Sequence, residues 1–410
     1  MIGAPYTTDV LRRVFKAFHY RDFRLMWIGA CTSSIGTWMQ MVAQGWLIYQ
    51  LSHSAFLLAL DPVLTTVPIF LLSLVGGVVA DRMERRHLLM ISQYIQMACA
   101  VLLTFLVGFG VIRVWHMLAC SFVVGFAQAF GGPAYQALVP TLVDKEDMPN
   151  AIALNSIQFN AAVLVGPALS AIVLAKFGMT WCFALNAVSF LAPVIALSML
   201  HVRFLPVKTT ETVYASLKQG LRFVWKQGAM ALLIVLAFSM TFLAVPSRTF
   251  LPVFAKDIFG RQAGTYAMFL SISGLGSIAG ALTVAGLGNI RRKGRVALTM
   301  LIVLGGAISV FAVSRSIVVS CVALFFSGAA MMSVFAAVNS LVQLIVTNEM
   351  RGRVMSVYNL AFRGGMMAGN LVAGRLVVLF SAPIVLAVNG VALAVMSVYF
   401  LLGQRKVAEL

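Results

Sequence analysis

Apolar segments of about 20 residues, separated by short gaps that hold the charged residues, make up most of this chain. A helix rises about 1.5 Å per residue and the hydrocarbon core of a bilayer is about 30 Å thick, so each segment is long enough to cross it. We place about twelve membrane spans, at 23–48, 54–79, 88–108, 114–138, 151–174, 180–200, 229–254, 263–287, 296–313, 317–338, 354–379 and 382–402. The chain is therefore predicted to be an all-α polytopic membrane protein.

The basic residues lie almost entirely in every second gap. The gaps on the side of the N terminus contain Arg12, Arg13, Lys16, Arg21, Arg24, Arg82, Arg85, Arg86, Lys145, Arg203, Lys208, Lys218, Arg222, Lys226, Arg291, Arg292, Lys293, Arg295, Arg351, Arg353, Arg405 and Lys406. The gaps on the other side contain Arg113, Lys176, Lys256, Arg261 and Arg315. Because cytoplasmic loops carry an excess of Lys and Arg, we expect both termini in the cytoplasm.

The composition excludes several classes of function. Only 10% of the residues are charged, against about a quarter in a soluble domain. The net charge of +18 follows from the bias of basic residues to one side and suits an anionic lipid surface, so no nucleic-acid partner is expected. The five cysteines lie in or beside predicted spans without a C-x-x-C pair, and we expect no disulfide and no metal site. No cleavable signal peptide and no Walker loop is visible, and we expect no cofactor and no catalysis.

The widest gap divides the predicted spans into two sets of six. We expect an N-terminal bundle at 1–200, a cytoplasmic linker at 201–228 and a C-terminal bundle at 229–410. Within the linker, helical spacing places one set of residues on an apolar side and another on a basic side; they are Leu217, Leu221 and Val224, and Lys218, Arg222 and Lys226. This pattern predicts an amphipathic helix on the membrane surface, and an ordinary solvated linker is the alternative.

The two predicted halves repeat the same pattern of charged gaps. The basic gap 78–86 recurs at 288–295, and the acidic gap 143–147 recurs at 348–353. We expect exposed ion pairs across each half, each contributing about 0–1 kcal/mol. In the first half Arg82, Arg85 and Arg86 would pair with Asp144, Glu146 or Asp147, and in the second half the residues 291–295 would pair with Glu349.

One of these gaps carries a specific resemblance. The stretch Gly77-Val78-Val79-Ala80-Asp81-Arg82-Met83-Glu84-Arg85-Arg86 resembles the gap-two signature G-x-x-x-D-R-x-G-R-R of the major facilitator superfamily. An acidic residue at the position of Glu84 is typical of the branch that includes enterobactin exporters and macrolide efflux proteins. Residues 20–25, 36–40, 149–155 and 351–356 are similar to the same branch. The resemblance implies two pseudo-symmetric six-helix bundles around a central cavity, alternating access, and a place in the bacterial cytoplasmic (inner) membrane.

The resemblance also implies a cytoplasmic gate. Asp81 is expected to face the N-terminus of the eleventh span when the cytoplasmic side is closed, where a carboxylate gains about 0.3–1 kcal/mol. We assign to this gate Gly77, Asp81, Arg82, Arg85, Arg86, Asp144, Glu349, Arg351 and Arg353. A charge cluster that only sets the topology is the alternative.

Gly166 and Pro167 in the fifth span resemble the G-x-x-x-G-P-x-x-G-G signature of antiporters in this superfamily. Ala162, Ser170 and Ala171 replace three of its glycines, so the match is partial. It favours export over uptake. The alternative is packing of small residues between helices, which needs no transport role.

Ionisable residues inside a membrane are costly and therefore are candidates for function. Asp61 is the only acidic residue inside a predicted span, and Arg248 lies at a similar depth. We predict that they carry a proton or form an outer gate. Alternatively, Asp61 caps a helix that begins with Pro62.

Arg363 lies about nine residues into the eleventh span, roughly 14 Å deep, and we predict that it lines a substrate cavity. The alternative is a structural bond to helix carbonyls. Further polar or aromatic residues assigned to the cavity are Trp38, Gln40, Gln44, Gln158, Asn339, Gln343 and Asn359. For each of them, a role in holding helices together at about 0.6–2 kcal/mol is the alternative.

These observations predict a secondary active exporter, driven by inward flow of protons. Its expected cargo is an amphiphilic small molecule, either siderophore-like or drug-like, and its other partners are protons and membrane lipids. We expect a monomer. A lipid or lysolipid flippase of the same fold and a non-transporting membrane scaffold or receptor are the alternatives.

Overall fold

The computed structural model describes residues 15–200, 213–287, 293–347 and 349–402, and these residues form helices joined by short turns, without a strand. The long helices are α1 (Arg21–Ser52), α2 (Ala55–Arg82), α3 (Arg85–Gly108), α4 (Val114–Leu138), α5 (Met148–Lys176), α6 (Met179–Ser198, broken at Phe190), α7 (Val213–Lys226), α8 (Gly228–Thr249), α9 (Ala263–Leu287), α10 (Lys293–Val313), α11 (Ile317–Ile345), α12 (Arg351–Phe380) and α13 (Ala382–Leu402). The all-helical prediction is confirmed.

Ten of the helices in the described part of the chain are long and apolar enough to cross a membrane. They are α2 to α6, α8 to α11 and α13. Helices α1 and α12 are longer still, with 32 and 30 residues, but they are not among these ten. Both contain several polar or charged residues, among them Gln40 and Gln44 in α1 and Asn359 and Arg363 in α12.

Helix boundaries follow local chemistry. His53 ends α1 in a left-handed conformation with φ of 49°, and the Ser54 hydroxyl caps α2 by accepting a hydrogen bond from the Leu57 amide at 3.3 Å. Asp61 therefore lies six residues inside α2, and Pro62 lies in the helix interior. The interpretation of Asp61 as an N-cap is wrong, because a serine earlier in the chain satisfies the first amides.

Glycines allow the closest helix contacts in both parts of the chain. A Cβ on Gly125 in α4 would lie 2.2 Å from the Thr65 carbonyl oxygen of α2. In the C-terminal part, a Cβ on Gly276 in α9 would lie 1.9 Å from the Phe325 carbonyl oxygen of α11. Small residues are the means by which helices approach closely where no hydrophobic effect drives association in lipid. The same device therefore joins α2 to α4 and α9 to α11.

The N-terminal and C-terminal parts meet along two pairs of helices, α2 with α12 and α5 with α9. In the first pair, a Cβ on Gly374 would lie 2.7 Å from the Ala59 side chain, and one on Gly364 would lie 3.4 Å from the Phe70 ring. In the second pair, Gly274 of α9 packs against the backbone of Leu164. These contacts place α2 and α12 side by side and antiparallel.

We call the side of the molecule that carries the turns 83–84, 139–147 and 349–350 the basic face, and the other side the opposite face. On the basic face, the Arg86 guanidinium donates to the carbonyl oxygens of Ser198 at 2.9 Å and Leu200 at 3.1 Å. Arg85 donates to the Ala137 carbonyl at 3.0 Å. Cations near a helix C-terminus satisfy its free carbonyls. In the described part of the chain, Arg86 therefore does not form the predicted ion pair with the acidic turn.

The N-terminal segment contacts that acidic turn instead. The Lys16 ammonium lies 2.6 Å from Asp147, and the Tyr20 hydroxyl lies 2.9 Å from carboxylate oxygens of both Asp144 and Asp147. The Ala17 amide, which is fully buried, donates to the Asn150 side chain at 2.9 Å. The residues 16–20 are thereby fixed against the turn that leads into α5, and we call this contact the N-terminal clamp.

We predict that the N-terminal clamp persists over a wide pH range. The hydrogen bond from Lys16 lowers the pKa of Asp147 and correspondingly raises the pKa of Lys16, while the hydrogen bond to Asp144 raises the pKa of Tyr20 to about 12. A carboxyl group with a lowered pKa stabilises the folded state at pH values above the ordinary Asp pKa of about 3.9. An ammonium group with a raised pKa stabilises it at pH values below the ordinary Lys pKa of about 10.4. Hydrogen exchange of residues 15–20, corrected for intrinsic rates, should show equal protection at about pH 6 and pH 9.

Lys16→Gln should lower that protection at both pH values, because the ion pair is lost. Lys145→Gln is the matched control, since Lys145 is exposed in the same turn. Equal protection in the Lys16 variant and in this control would contradict the clamp.

Candidate functional site

A half-buried carboxylate, Asp61, joins three helices in the N-terminal part of the chain. One oxygen of Asp61 on α2 accepts hydrogen bonds from the Gln44 amide of α1 at 2.8 Å and from the Ser121 hydroxyl of α4 at 2.5 Å. Gln44 and Ser121 are buried, and the same Gln44 amide also lies 2.9 Å from the Ser121 hydroxyl. Among the described residues, none donates to the second oxygen of Asp61.

The hydrogen bonds continue from Asp61 to α6. Gln40 donates to the Gln44 side-chain carbonyl at 3.3 Å, and Asn186 donates to the Gln40 side-chain carbonyl at 2.7 Å. A chain of amides thus runs from Asp61 through α1 to Asn186. We call Asp61, Gln44, Ser121, Gln40 and Asn186 the carboxylate network. Asp61, Gln40 and Gln44 were predicted from the sequence, whereas Ser121 and Asn186 were not, since each is only a polar residue inside an apolar span.

Arg248 lies in a separate cluster. Its guanidinium on α8 donates to the Ser277 hydroxyl of α9 at 3.0 Å, and Ser277 in turn lies within hydrogen-bonding distance of the Ser273 carbonyl. Within the residues that the structure describes, Asp61 and Arg248 form no ion pair. The predicted outer-gate pair of Asp61 and Arg248 is therefore not formed in this structure, because Asp61 binds Gln44 and Ser121 while Arg248 binds Ser277.

The two parts of the chain are bonded to each other near the opposite face. The Tyr49 hydroxyl of α1 donates to the Asp257 carboxylate, and the Lys256 ammonium lies 5.5 Å from the centre of the Tyr49 ring. Lys256 and Asp257 belong to a π-helical turn, Phe254–Ile258, that continues α8. Such turns are frequent at functional sites. We call Tyr49, Lys256 and Asp257 the outer contact. It was not predicted from the sequence, although Lys256 and Asp257 are two of the few charged residues on that side of the molecule.

A cavity of about 500 Å³ opens along one face of α11, near the basic face. Its lining residues are Met332, Phe335, Ala336, Asn339, Ser340, Gln343, Leu344 and Arg351. Gln343 donates to Asn339 within this lining, and the Lys293 ammonium lies 3.3 Å from the Ser340 hydroxyl. The lining combines apolar, amide and cationic groups. The structure therefore brings two predicted cavity residues, Asn339 and Gln343, together with Arg351, which was assigned to the gate.

Arg363 lies on α12, about 18 Å further along the helix axis than Arg351. It is half-buried, and Asn359, four residues earlier on the same side of the helix, is exposed. The neighbouring Phe362 packs on Phe335 of the cavity, with ring centres 5.3 Å apart. No backbone carbonyl of the described residues accepts a hydrogen bond from Arg363. The alternative of a structural bond to helix carbonyls is therefore not seen here.

Other predicted cavity residues hold α1 and α5 together. Gln158 is buried and donates to the Ala30 carbonyl at 3.1 Å and the Ser34 hydroxyl at 2.9 Å. A Cβ on Gly166 would lie 2.4 Å from the Cβ of Trp38, and Pro167 follows inside the helix. For Gln158, Trp38 and Gly166, the described contacts are those of close helix packing.

The predicted gate residues lie at the ends of α2 and α12. The side chain of Asp81 lies outside the described residues, although its backbone belongs to α2. Gly77 is half-buried, Arg82 and Glu349 are exposed, and Arg353 lies in the first turn of α12. Glu84, which replaces the usual glycine of the motif, lies 2.6 Å from His87. The role of Asp81 stays a prediction.

Helices of membrane-spanning length, a half-buried carboxylate among them and an open cavity along α11 are features of a multi-pass membrane protein, and the comparisons with known proteins identify it as a transporter. The chain matches the family of transmembrane secretion effectors over residues 14–409, and it belongs to that family. The family and its relatives are transporters of the major facilitator type rather than enzymes. The resemblance seen in the sequence is therefore confirmed.

Individual relatives cover most of the chain. It is 26% identical over 366 residues to the multidrug efflux pump Tap of Mycolicibacterium fortuitum, covering 86% of this chain and 88% of that protein. It is 24% identical over 390 residues to the enterobactin exporter EntS of Salmonella typhi, covering 93% and 91%. It is also 24% identical over 258 residues to a staphyloferrin A transporter of Staphylococcus aureus, covering 61% and 63%.

Solved structures show the same fold at lower identity. A POT family transporter matches with a TM-score of 0.77 at 12% identity, covering 94% of this chain and 96% of that one. A D-xylose-proton symporter matches with a TM-score of 0.73 at 13% identity, covering 93% and 97%. The fold is that of these transporters.

We predict that the outer contact keeps the opposite face closed. Tyr49→Phe removes the hydroxyl that donates to Asp257. Since hydrogen bonds to charged groups contribute on the order of 1.5–3 kcal/mol, the open population should rise roughly tenfold or more. A single cysteine at Ala59, in a background without native cysteines, should then react faster with a membrane-impermeant maleimide. The matched control is Tyr94→Phe, an exposed tyrosine on α3; unchanged labelling in both Tyr49→Phe and Asp257→Asn would contradict the prediction.

Proposed function

We propose that this protein is a proton-coupled antiporter that exports an amphiphilic small molecule from the bacterial cytoplasm across the inner membrane. Its architecture would be twelve spans, formed by the ten candidate helices together with α1 and α12. At about 48 Å and 45 Å, both of these are long enough to cross a bilayer. The domain division is the predicted one, with bundles at 1–200 and 229–410, the linker at 201–228, and both termini in the cytoplasm.

The observation that supports this proposal is the carboxylate of Asp61, half-buried among α1, α2 and α4, with one oxygen that accepts no hydrogen bond from the described residues. A charge inside a membrane is costly. Two hydrogen bonds stabilise the carboxylate when it is ionised, while protonation removes the charge. Protonation also weakens the acceptor for Gln44 and Ser121, so uptake of a proton changes the contacts between three helices. This is a means of coupling protons to helix movement.

The contacts between the two parts of the chain support alternating access. The outer contact joins α1 to the end of α8 near the opposite face, and Gly374 packs on Ala59 near the same face. The cavity along α11 opens near the basic face. This arrangement is what an inward-facing state requires. Rocking of the two bundles would break the outer contact and bring the ends of α2 and α12, with Asp81 and Arg351, into the predicted gate.

The residues in and near the cavity support a particular kind of cargo. In the cavity lining, Arg351 supplies a cation, Met332, Phe335 and Leu344 supply apolar surface, and Asn339 supplies an amide. Arg363 lies outside this lining, further along the helix that carries Arg351. An amphiphilic molecule with an anionic or electron-rich part would satisfy both kinds of group. Relatives named for multidrug efflux, enterobactin export and staphyloferrin A transport support cargo of this kind. The proposed export direction rests on the same relatives.

Substitution of Asp61 tests proton coupling. In proteoliposomes, Asp61→Asn should abolish transport driven by an imposed pH gradient while it leaves cargo exchange without a gradient intact, because the amide cannot titrate. Glu146→Gln is the matched control, since it removes one carboxylate from an exposed turn. Full pH-driven transport by the Asn variant would exclude Asp61 from the proton path. Transport of lipid by the wild-type protein without any dependence on pH would favour the flippase alternative.

Substitution of Arg363 tests the cargo site. Arg363→Gln should weaken binding of an anionic siderophore, enterobactin or staphyloferrin A, by roughly tenfold or more, since charge-assisted hydrogen bonds contribute on the order of 1.5–3 kcal/mol. Arg363→Lys should recover only part of the affinity, because the planar fork is lost. Affinity for a cationic dye should not fall.

Arg375→Gln is the control for that experiment, since Arg375 is an exposed arginine on the same helix. Fluorescence titration of the purified protein would supply the affinities. If Arg363→Gln binds the anionic siderophore as tightly as the Arg375 variant does, Arg363 does not contact the cargo.

A further inference from the structure

Helix α7, between the two parts of the chain, packs tightly on the start of α12. A Cβ on Gly220 would lie 2.6 Å from the Arg353 carbonyl oxygen and 3.2 Å from the Val357 side chain. Val224, four residues later, is 3% exposed. Gly220 and Val224 therefore form the inner edge of α7, and no larger residue fits at Gly220 without moving α7 off α12.

The other side of α7 combines exposed apolar and basic residues. Trp225 is 75% exposed and Leu221 is 47% exposed. They lie four residues apart and form one row along the helix. The neighbouring row is Lys218, Arg222 and Lys226, all exposed and also spaced by four. We call these five residues the outer edge of α7. It differs from the predicted pattern, in which Leu221 and Val224 shared one apolar side.

The position of α7 decides what covers this outer edge. Helix α7 ends at Lys226, and the candidate membrane span of α8 begins at Gly228. The last turn of α7 must therefore lie at the surface of the bilayer. Arg353, whose backbone contacts the inner edge of α7, lies in the first turn of α12 and therefore at the same surface. An exposed tryptophan beside a row of cations at that depth matches the headgroup region, where Trp is enriched and basic residues attract anionic lipid.

We propose that the outer edge of α7 binds anionic phospholipid headgroups, and that the bound lipid holds α7 against α12. Lys218, Arg222 and Lys226 contact the phosphates, while Trp225 and Leu221 enter the acyl boundary. Because Gly220 is pressed against the Arg353 backbone, the lipid restrains the helix that carries Arg351 and Arg363. The proposal concerns lipid and not cargo, so it is independent of which molecule the protein exports.

Native mass spectrometry of the detergent-purified full chain measures the binding directly. Phosphatidylglycerol should bind more tightly than phosphatidylcholine. The triple variant Lys218→Gln, Arg222→Gln and Lys226→Gln should lose phosphatidylglycerol affinity by roughly tenfold or more, since each basic residue near an anionic surface contributes to the attraction. Its affinity for phosphatidylcholine should not change. The matched control is Lys176→Gln, Arg261→Gln and Arg315→Gln, which removes the same charge from exposed positions in the gaps of the opposite face.

Hydrogen exchange in nanodiscs tests the link to α12. Adding phosphatidylglycerol to phosphatidylcholine discs should slow exchange in α7 and in the first turn of α12 in the wild-type protein but not in the triple variant. Trp225→Gln, which keeps all three cations, should weaken binding of both lipids and provides a second test if the triple variant does not fold. Equal phosphatidylglycerol affinity in the triple variant and its control would overturn the proposal. Tighter binding of a soluble polyglutamate than of phosphatidylglycerol would also overturn it, by indicating a protein-docking surface.

Discussion

The bilayer imposes the constraint on which the rest of this structure depends. Without water, every backbone amide and carbonyl needs a partner inside the protein, and helices meet that demand within each segment. Polar side chains face the same demand. Gln158 finds a carbonyl of α1, Arg248 a serine of α9 and Asn186 an amide of α1. These polar residues thus serve two purposes, because the bonds that satisfy them also hold neighbouring helices together.

Asp61 differs from these residues because only one of its two carboxylate oxygens accepts hydrogen bonds from the described residues. Gln44 and Ser121 both bind one carboxylate oxygen, and the other has no donor among the described residues. A side chain that only joined helices would be more stable as an amide. A carboxylate retained there, in a network that crosses four helices, suits a group that exchanges a proton. The proposed function therefore gives a reason for a carboxylate at this position that stability alone does not.

The two faces of the molecule are organised by different contacts. Near the opposite face, one side-chain hydrogen bond and close glycine packing join the two parts of the chain, and these contacts can be broken and remade. Near the basic face, the N-terminal clamp and helix α7 are packed against α5 and α12 respectively. Both are additions outside the spans. The clamp and α7 contact α5 and α12, the helices that pack against the other part of the chain, so movement of either one would move those helices.

The sequence by itself determined the class of this protein. Segment length and apolar composition predicted the helices, because the thickness of a bilayer fixes how long a span must be. The motif that contains Asp81 identified the superfamily, because a tight turn restricts which residues can form it. The individual importance of Asp61 was also predicted, since a carboxylate in an apolar segment is costly wherever it points.

Only the tertiary structure decided the partners of these residues. The outer contact between Tyr49 and Asp257 and the clamp between Lys16 and Asp147 join residues that are far apart in the chain. Periodicity shows which side of a helix is polar but not which helix lies opposite. Arg86 was therefore assigned to an acidic turn although it binds the end of α6, since helix carbonyls, which no residue pattern reveals, compete for the same cation.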